Sequence, residues 1–125
     1  MRSNAIKPKR TMQVGGLIQQ EISELLVRKI KDPRLELVTI TGVDVSPDLK
    51  LARVYYSRFG GAEDILRGRE GLERASGFIK RELGRRLQLR RVPELEFIHD
   101  ASFDYGNRID SILKGLFPAE EPLES

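Results

Sequence analysis

The chain has 125 residues, 39% hydrophobic and 33% charged, a balance that fits one folded domain with a single core and excludes a disordered polyelectrolyte. It contains no cysteine, which rules out disulfides, thiolate metal sites and cysteine nucleophiles. Its basic N-terminus is followed by no apolar run of the kind a signal peptide or membrane span needs, so a cytosolic location is the expectation. Net charge is only +3, but residues 1–31 hold seven Lys or Arg against Glu21 and Glu24, while residues 118–125 hold three acids and no base.

Residues 1–11 are polar and basic and contain Pro8, which predicts a flexible N-terminal arm carrying Lys7, Lys9 and Arg10. From Val14 the apolar positions Leu17, Ile18, Ile22, Leu25, Leu26 and Ile30 recur at three- and four-residue steps. This is a helix with a wide core stripe, stopped by Asp32-Pro33. Residues 35–45 are rich in Val, Ile and Thr and predict a strand. Its alternation changes phase at Gly42, where a bulge would bring Val38 and Ile40 into line with Val43 and Val45. Ser46-Pro47-Asp48-Leu49 is turn chemistry, and residues 51–58 return as the second arm of a hairpin.

Gly60-Gly61 breaks the chain before a second helix beginning near Glu63. Its stripe runs through Ile65, Leu66, Leu72 and Ala75 into Phe78, Ile79, Leu83 and Leu87. Ala75-Ser76-Gly77 falls inside that stripe and predicts one helix bent at the small residues, where a larger side chain would obstruct the bend. Pro93 closes the helix, and Leu95 to His99 form a third strand. Ser102 can cap a last helix with Tyr105, Ile109, Ile112, Leu113 and Leu116 on one face, and residues 118–125 are expected to be a disordered acidic tail. Residues 12–117 are thus one α+β domain, with helices packed on a three-stranded sheet.

The chemistry concentrates in residues 74–91. Seven cations (Arg74, Lys80, Arg81, Arg85, Arg86, Arg90 and Arg91) stand there against one acid, Glu82. Ordinary solvated faces mix their signs, and the arginine fork suits phosphate oxygens, so Lys80, Arg81, Arg85, Arg86, Arg90 and Arg91 are candidate RNA contacts, joined by Lys7, Lys9 and Arg10 if the arm orders on RNA rather than staying an ordinary disordered terminus. The bland alternative is a solubilising surface. Tyr55, Tyr56, Phe97 and Phe103 could stack on bases, yet aromatics on such stripes more often belong to the core. His99, Asp100 and Asp104 could be assembled into an acid–base site, but no nucleophile motif, metal-ligand spacing or phosphate loop accompanies them, so an enzyme is not expected. A general nucleic-acid binder or DNA-binding regulator is the remaining alternative. Helix-turn-helix readers place polar side chains at the start of the recognition helix, whereas Gly77-Phe78-Ile79 stands here.

Five blocks carry a resemblance: Ile30-Lys31-Asp32-Pro33-Arg34-Leu35, Thr41-Gly42-Val43, Ser46-Pro47-Asp48-Leu49, Ala75-Ser76-Gly77-Phe78-Ile79, and Arg90-Arg91-Val92-Pro93-Glu94-Leu95-Glu96-Phe97. From about Arg10 to Leu113 the chain resembles the bacterial ribosome-binding factor A family. The resemblance implies a type II KH-like fold, with an Ala-x-Gly kink, here Ala75-Ser76-Gly77, in place of the Gly-x-x-Gly clamp of ordinary KH domains. It implies a monomeric, cytoplasmic, non-enzymatic protein that binds free or immature 30S subunits through 16S rRNA. Such a protein assists late assembly and 5′-end processing, leaves before translation and supports growth in the cold. No cofactor, metal, membrane or small-molecule substrate is implied. The literal Gly-x-x-Gly at Gly68-Arg69-Glu70-Gly71 reads as coincidence, because a clamp there would set Glu70 beside phosphate.

Overall fold

The computed structural model describes residues 9–102. Within them the order is α1 (Lys9–Arg28), a short 3-10 turn (Pro33–Leu35), β1 (Val38–Val45), β2 (Leu51–Arg58), α2 (Ala62–Leu87) and β3 (Glu94–His99). Lys7, the last helix expected from Tyr105 to Leu116 and the acidic tail lie outside the described residues.

α1 starts earlier than its periodicity suggested. Lys9 and Arg10, expected in the arm, form its first turn, and Thr11 is already buried. Val14, Ile18, Ile22 and Leu25 follow on the same buried stripe. At Gly15 a Cβ would stand 2.8 Å from the Val43 carbonyl oxygen, so the missing side chain lets the helix lie directly on β1. The amides of Lys29 and Ile30 both reach the Leu25 carbonyl, at 2.9 Å each, and close the helix. Asp32 then organises the 3-10 turn. Its carboxylate accepts the Arg34 amide at 3.0 Å and holds the Arg34 guanidinium from both oxygens, at 3.1 and 2.8 Å.

β1 and β2 pair antiparallel with a register shift between Ile40 and Gly42, so Thr41 is the extra residue of the expected bulge. The intervening turn is tied by Ser46, whose hydroxyl donates to Asp48 at 2.7 Å and accepts the Leu51 amide at 3.0 Å. β3 pairs parallel with β2, which gives a mixed sheet in the order β1-β2-β3 with α2 as the crossover. α1 and α2 meet the sheet on the face of Ile40, Val45, Ala52, Val54, Tyr56 and Phe97, where Leu72, Ile79 and Leu83 of α2 are fully buried. Each of those three side chains contributes roughly 1.5–3 kcal/mol. Tyr56 and Phe97 are therefore core residues and not stacking platforms. The Tyr56 hydroxyl donates to the Ile65 carbonyl at 3.3 Å.

α2 is one unbroken helix of 26 residues, about 39 Å long, and it runs through Ala75-Ser76-Gly77 without a loop. The packing reason expected for the small residues is absent at Gly77, which is exposed. A Cβ there would meet only the Nη1 of Arg81, at 3.6 Å. Gly68 and Gly71 behave in the opposite way. Added Cβ atoms would come within 3.0 Å of Val38 Cγ2 and 2.9 Å of Leu35 Cδ2, so these two glycines admit β1 and the 3-10 turn against the helix. The Gly-x-x-Gly is thus a packing device rather than a coincidence or a clamp.

Candidate nucleic-acid interface

Three segments bring cations to one end of the molecule. Gln19 donates to the Ile40 carbonyl at 3.4 Å and Gly15 sits on Val43 and Val45, so α1 runs antiparallel to β1. Its first turn, with Lys9 and Arg10 exposed, therefore lies toward the β1–β2 turn. There the Glu94 amide donates to the Lys50 carbonyl at 2.9 Å, which joins that turn to the start of β3 and to the loop holding Arg90 and Arg91. The end of α2 reaches the same place. The Lys80 ammonium lies 2.8 Å from the Glu94 carboxylate, and Gly84 packs toward Val92. Gln88, in the left-handed conformation (φ 53°), ends the helix and turns the chain into that loop.

The candidate arginines are not equivalent. Arg81, Arg90 and Arg91 are exposed, and among the described residues none of them has a carboxylate partner. Arg85 is exposed but donates to Glu82 at 2.7 Å, and Lys80 is half-buried on Glu94. Arg86 departs from the sequence expectation. Its guanidinium is only 24% exposed and turns inward onto three carboxylates, Glu82 at 3.1 Å, Glu21 at 3.3 Å and Glu24 at 3.4 Å. It is an interhelical ion-pair centre rather than a free cation, because α1 brings two glutamates from more than 60 residues away to its side.

The electrostatics follow that geometry. Hydrogen bonds from Arg85 and then Arg86 hold the Glu82 carboxyl below the ordinary glutamate range. Arg86 is correspondingly pushed up, by the Glu82 hydrogen bond first and by the charge of Glu21 after it. Arg85 and Arg86 also occupy the last turn of α2, where cations complement the unpaired carbonyls, so part of their role is to finish the helix.

Lys50 is a cation of this end that the sequence reading did not single out. Its signal was present in the turn motif, but only the pairing of Glu94 with the hairpin shows that it neighbours Arg90 and Arg91. Of the other sequence candidates, Phe103 and Asp104 lie outside the described residues, and His99 and Asp100 have structural contacts. His99 packs its ring against Tyr56, centroids 5.8 Å apart, and Asp100 accepts the Thr41 hydroxyl at 2.8 Å. Among the described residues no cluster of His, Asp and Glu could hold a metal ion. What remains is a surface with several unopposed guanidinium groups, suited to bidentate contacts with phosphate oxygens.

Comparison with known proteins agrees with this architecture. The family model described as ribosome-binding factor A matches residues 10–113. A ribosome-binding factor A of Desulfatibacillum aliphaticivorans is 53% identical over 115 residues, covering 92% of this chain and 94% of that one. The factor of Syntrophus aciditrophicus is 45% identical over 113 residues, covering 90% and 92%. Among solved structures, the crystal structure of ribosome-binding factor A from Thermus thermophilus superposes with a TM-score of 0.62. It is 29% identical and covers 71% of this chain and 94% of that one. A homology model of the Thermus thermophilus factor, fitted into a cryo-EM map of a 30S complex with that factor, gives a TM-score of 0.59 at 30% identity, covering 70% and 92%. Helices on one face of a three-stranded mixed sheet, shared with these structures, make the fold α+β and KH-like. The chain belongs to the ribosome-binding factor A family.

Proposed function

We propose that this protein binds the small ribosomal subunit through phosphates of its 16S rRNA and acts as a non-enzymatic assembly factor. In this reading it docks on free or immature 30S subunits in the cytoplasm, assists late maturation and 5′-end processing of the rRNA, and leaves before translation. The observation that carries the reading is the cationic end, where Arg81, Arg90 and Arg91 are exposed with no acid opposing them among the described residues. Support comes from the family membership and from the Thermus thermophilus relative, which is described in complex with the 30S subunit. The mechanism needs no cofactor. Guanidinium groups displace counterions from the phosphate backbone, and the packed α+β body favours the RNA arrangement that fits it. Among the described residues no helix is long and apolar enough to cross a membrane.

Sedimentation of the full chain with free 30S subunits, and separately with assembled 70S ribosomes, tests this reading. Retention on free subunits, weakening steeply as salt rises, is expected. Equal retention on 70S ribosomes contradicts an assembly role, and equal competition by arbitrary duplex DNA favours a general nucleic-acid binder.

A further inference from the structure

Arg86 is the most heavily engaged cation among the described residues. Every other ion-paired Lys or Arg among them holds one carboxylate, whereas Arg86 holds those of Glu21, Glu24 and Glu82. Two of the three come from α1, so this side chain also ties the end of α2 to the middle of α1. Glu82 follows Arg81 directly in α2, and Arg86 gathers Glu21 and Glu24 to the same helix end. The same Glu82 carboxylate oxygen that accepts from Arg86 accepts from Arg85 at 2.7 Å.

We propose that Arg86 is the internal counter-charge of the cationic end, a positioning residue that keeps these three carboxylates from repelling phosphate and does not itself contact the RNA. The inference rests on the RNA-binding reading and deepens it. To reach a phosphate, Arg86 would have to leave three ion pairs in a partly buried place, uncovering Glu21 and leaving Glu24 to Arg28 at 3.8 Å and Glu82 to Arg85 at 2.7 Å. Arg81, Arg90 and Arg91 have no such contacts to give up. Removing Arg86 therefore weakens binding through the acids it leaves behind. Arg86→Met removes one net unit of positive charge, which at a water-like dielectric and several ångströms from a phosphate is worth on the order of threefold in affinity at low salt. The number of counterions released on binding stays the same, because no phosphate contact has been lost.

The salt dependence separates these roles. Affinity of the full chain for purified 30S subunits is measured over a series of salt concentrations, with thermal unfolding of each variant as the folding control. Arg86→Met is expected to bind about threefold more weakly at the lowest salt, with an unchanged slope of log affinity against log salt. Arg81→Met, which deletes a phosphate contact, reduces that slope by about 0.7–0.9. Adding Glu21→Gln and Glu24→Gln to Arg86→Met restores affinity at least to the wild-type level, a rescue that a merely structural loss would not show. Conversely, Glu21→Gln with Glu24→Gln in the presence of Arg86 strengthens binding. A slope reduced in Arg86→Met as in Arg81→Met makes Arg86 a direct contact and overturns the proposal. So does failure of the two glutamines to rescue. If the unaltered chain shows no salt-dependent binding, the RNA-binding reading itself falls and this proposal with it.

Discussion

The two halves of α2 use the same residue types for opposite purposes. In residues 62–76, Gly68 and Gly71 are buried and crowded by Val38 and Leu35, and the charges are mixed, with Arg69 on Glu73 at 3.1 Å and Asp64 within 3.8 Å of Arg58. In residues 77–87, Gly77 is exposed and uncrowded, and the outer cations exceed the single acid, Glu82. One helix is thus a packing element at its start and a charged surface at its end. A glycine or an arginine cannot be assigned a role from its identity. The role depends on what stands opposite: a crowding methyl for Gly68 and Gly71 against an exposed surface for Gly77, and three carboxylates for Arg86 against solvent for Arg81.

That contrast can be broken most severely at the charged end. Reversing Arg81, Arg90 and Arg91 to Glu is expected to abolish co-sedimentation with 30S subunits at low salt while leaving the unfolding temperature nearly unchanged, because none of the three carries a structural contact among the described residues. Retained binding would move the interface elsewhere. On the packed half, Gly71→Val should cost about 1–3 kcal/mol by forcing Leu35 and Arg34 away from the helix, read as a clear drop in unfolding temperature.

Asp32 gives a smaller effect with a pH signature. Its folded carboxyl lies below the ordinary aspartate value of 3.8, mainly through the Arg34 side-chain hydrogen bond. The stability it contributes is therefore full above pH 3.8 and is lost as pH falls through the lower, folded value. Asp32→Ala should cost about 1 kcal/mol at neutral pH. Denaturant titrations should show that gap closing below pH 3.8, and a gap that persists in acid would assign the effect to shape rather than charge. The smallest effect is the most discriminating for the comparison. Gly77→Ala should stabilise the protein by about 0.5–1 kcal/mol, since alanine is the better helix former and nothing crowds the position, whereas a lowered unfolding temperature would show that the position needs glycine's backbone freedom.

Much of the fold was legible because local periodicity fixed it. The buried stripe of Ile18, Ile22 and Leu25, the phase change at Gly42 and the apolar run through Leu72, Ile79 and Leu83 each reappear as core or bulge. The start of α1 was not legible, since Lys9 and Arg10 add no apolar signal and only burial of Thr11 against the body shows where the helix begins. The site was legible as a concentration of positive charge but not residue by residue. Helical spacing turns Arg81 away from the stripe of Ile79, Leu83 and Leu87 and sets Arg86 on its flank, but the inward pairing of Arg86 depends on the arrival of Glu21 and Glu24 from α1. Likewise, the crowding that distinguishes Gly71 from Gly77 comes from the 3-10 turn. Neighbours set by chain crossings leave no trace in spacing.

The parallel pairing of β3 with β2 has a consequence for the order of assembly. α1, β1 and β2 can meet as soon as the first 58 residues exist, but Glu94 cannot reach Lys50 until the whole crossover has been made. During synthesis, then, the hairpin and its covering helix can form well before Arg90 and Arg91 arrive beside Lys50. The cationic end is thus completed only after the crossover, so if it holds rRNA as proposed, an unfinished chain lacks part of the means to seize the machine that is making it.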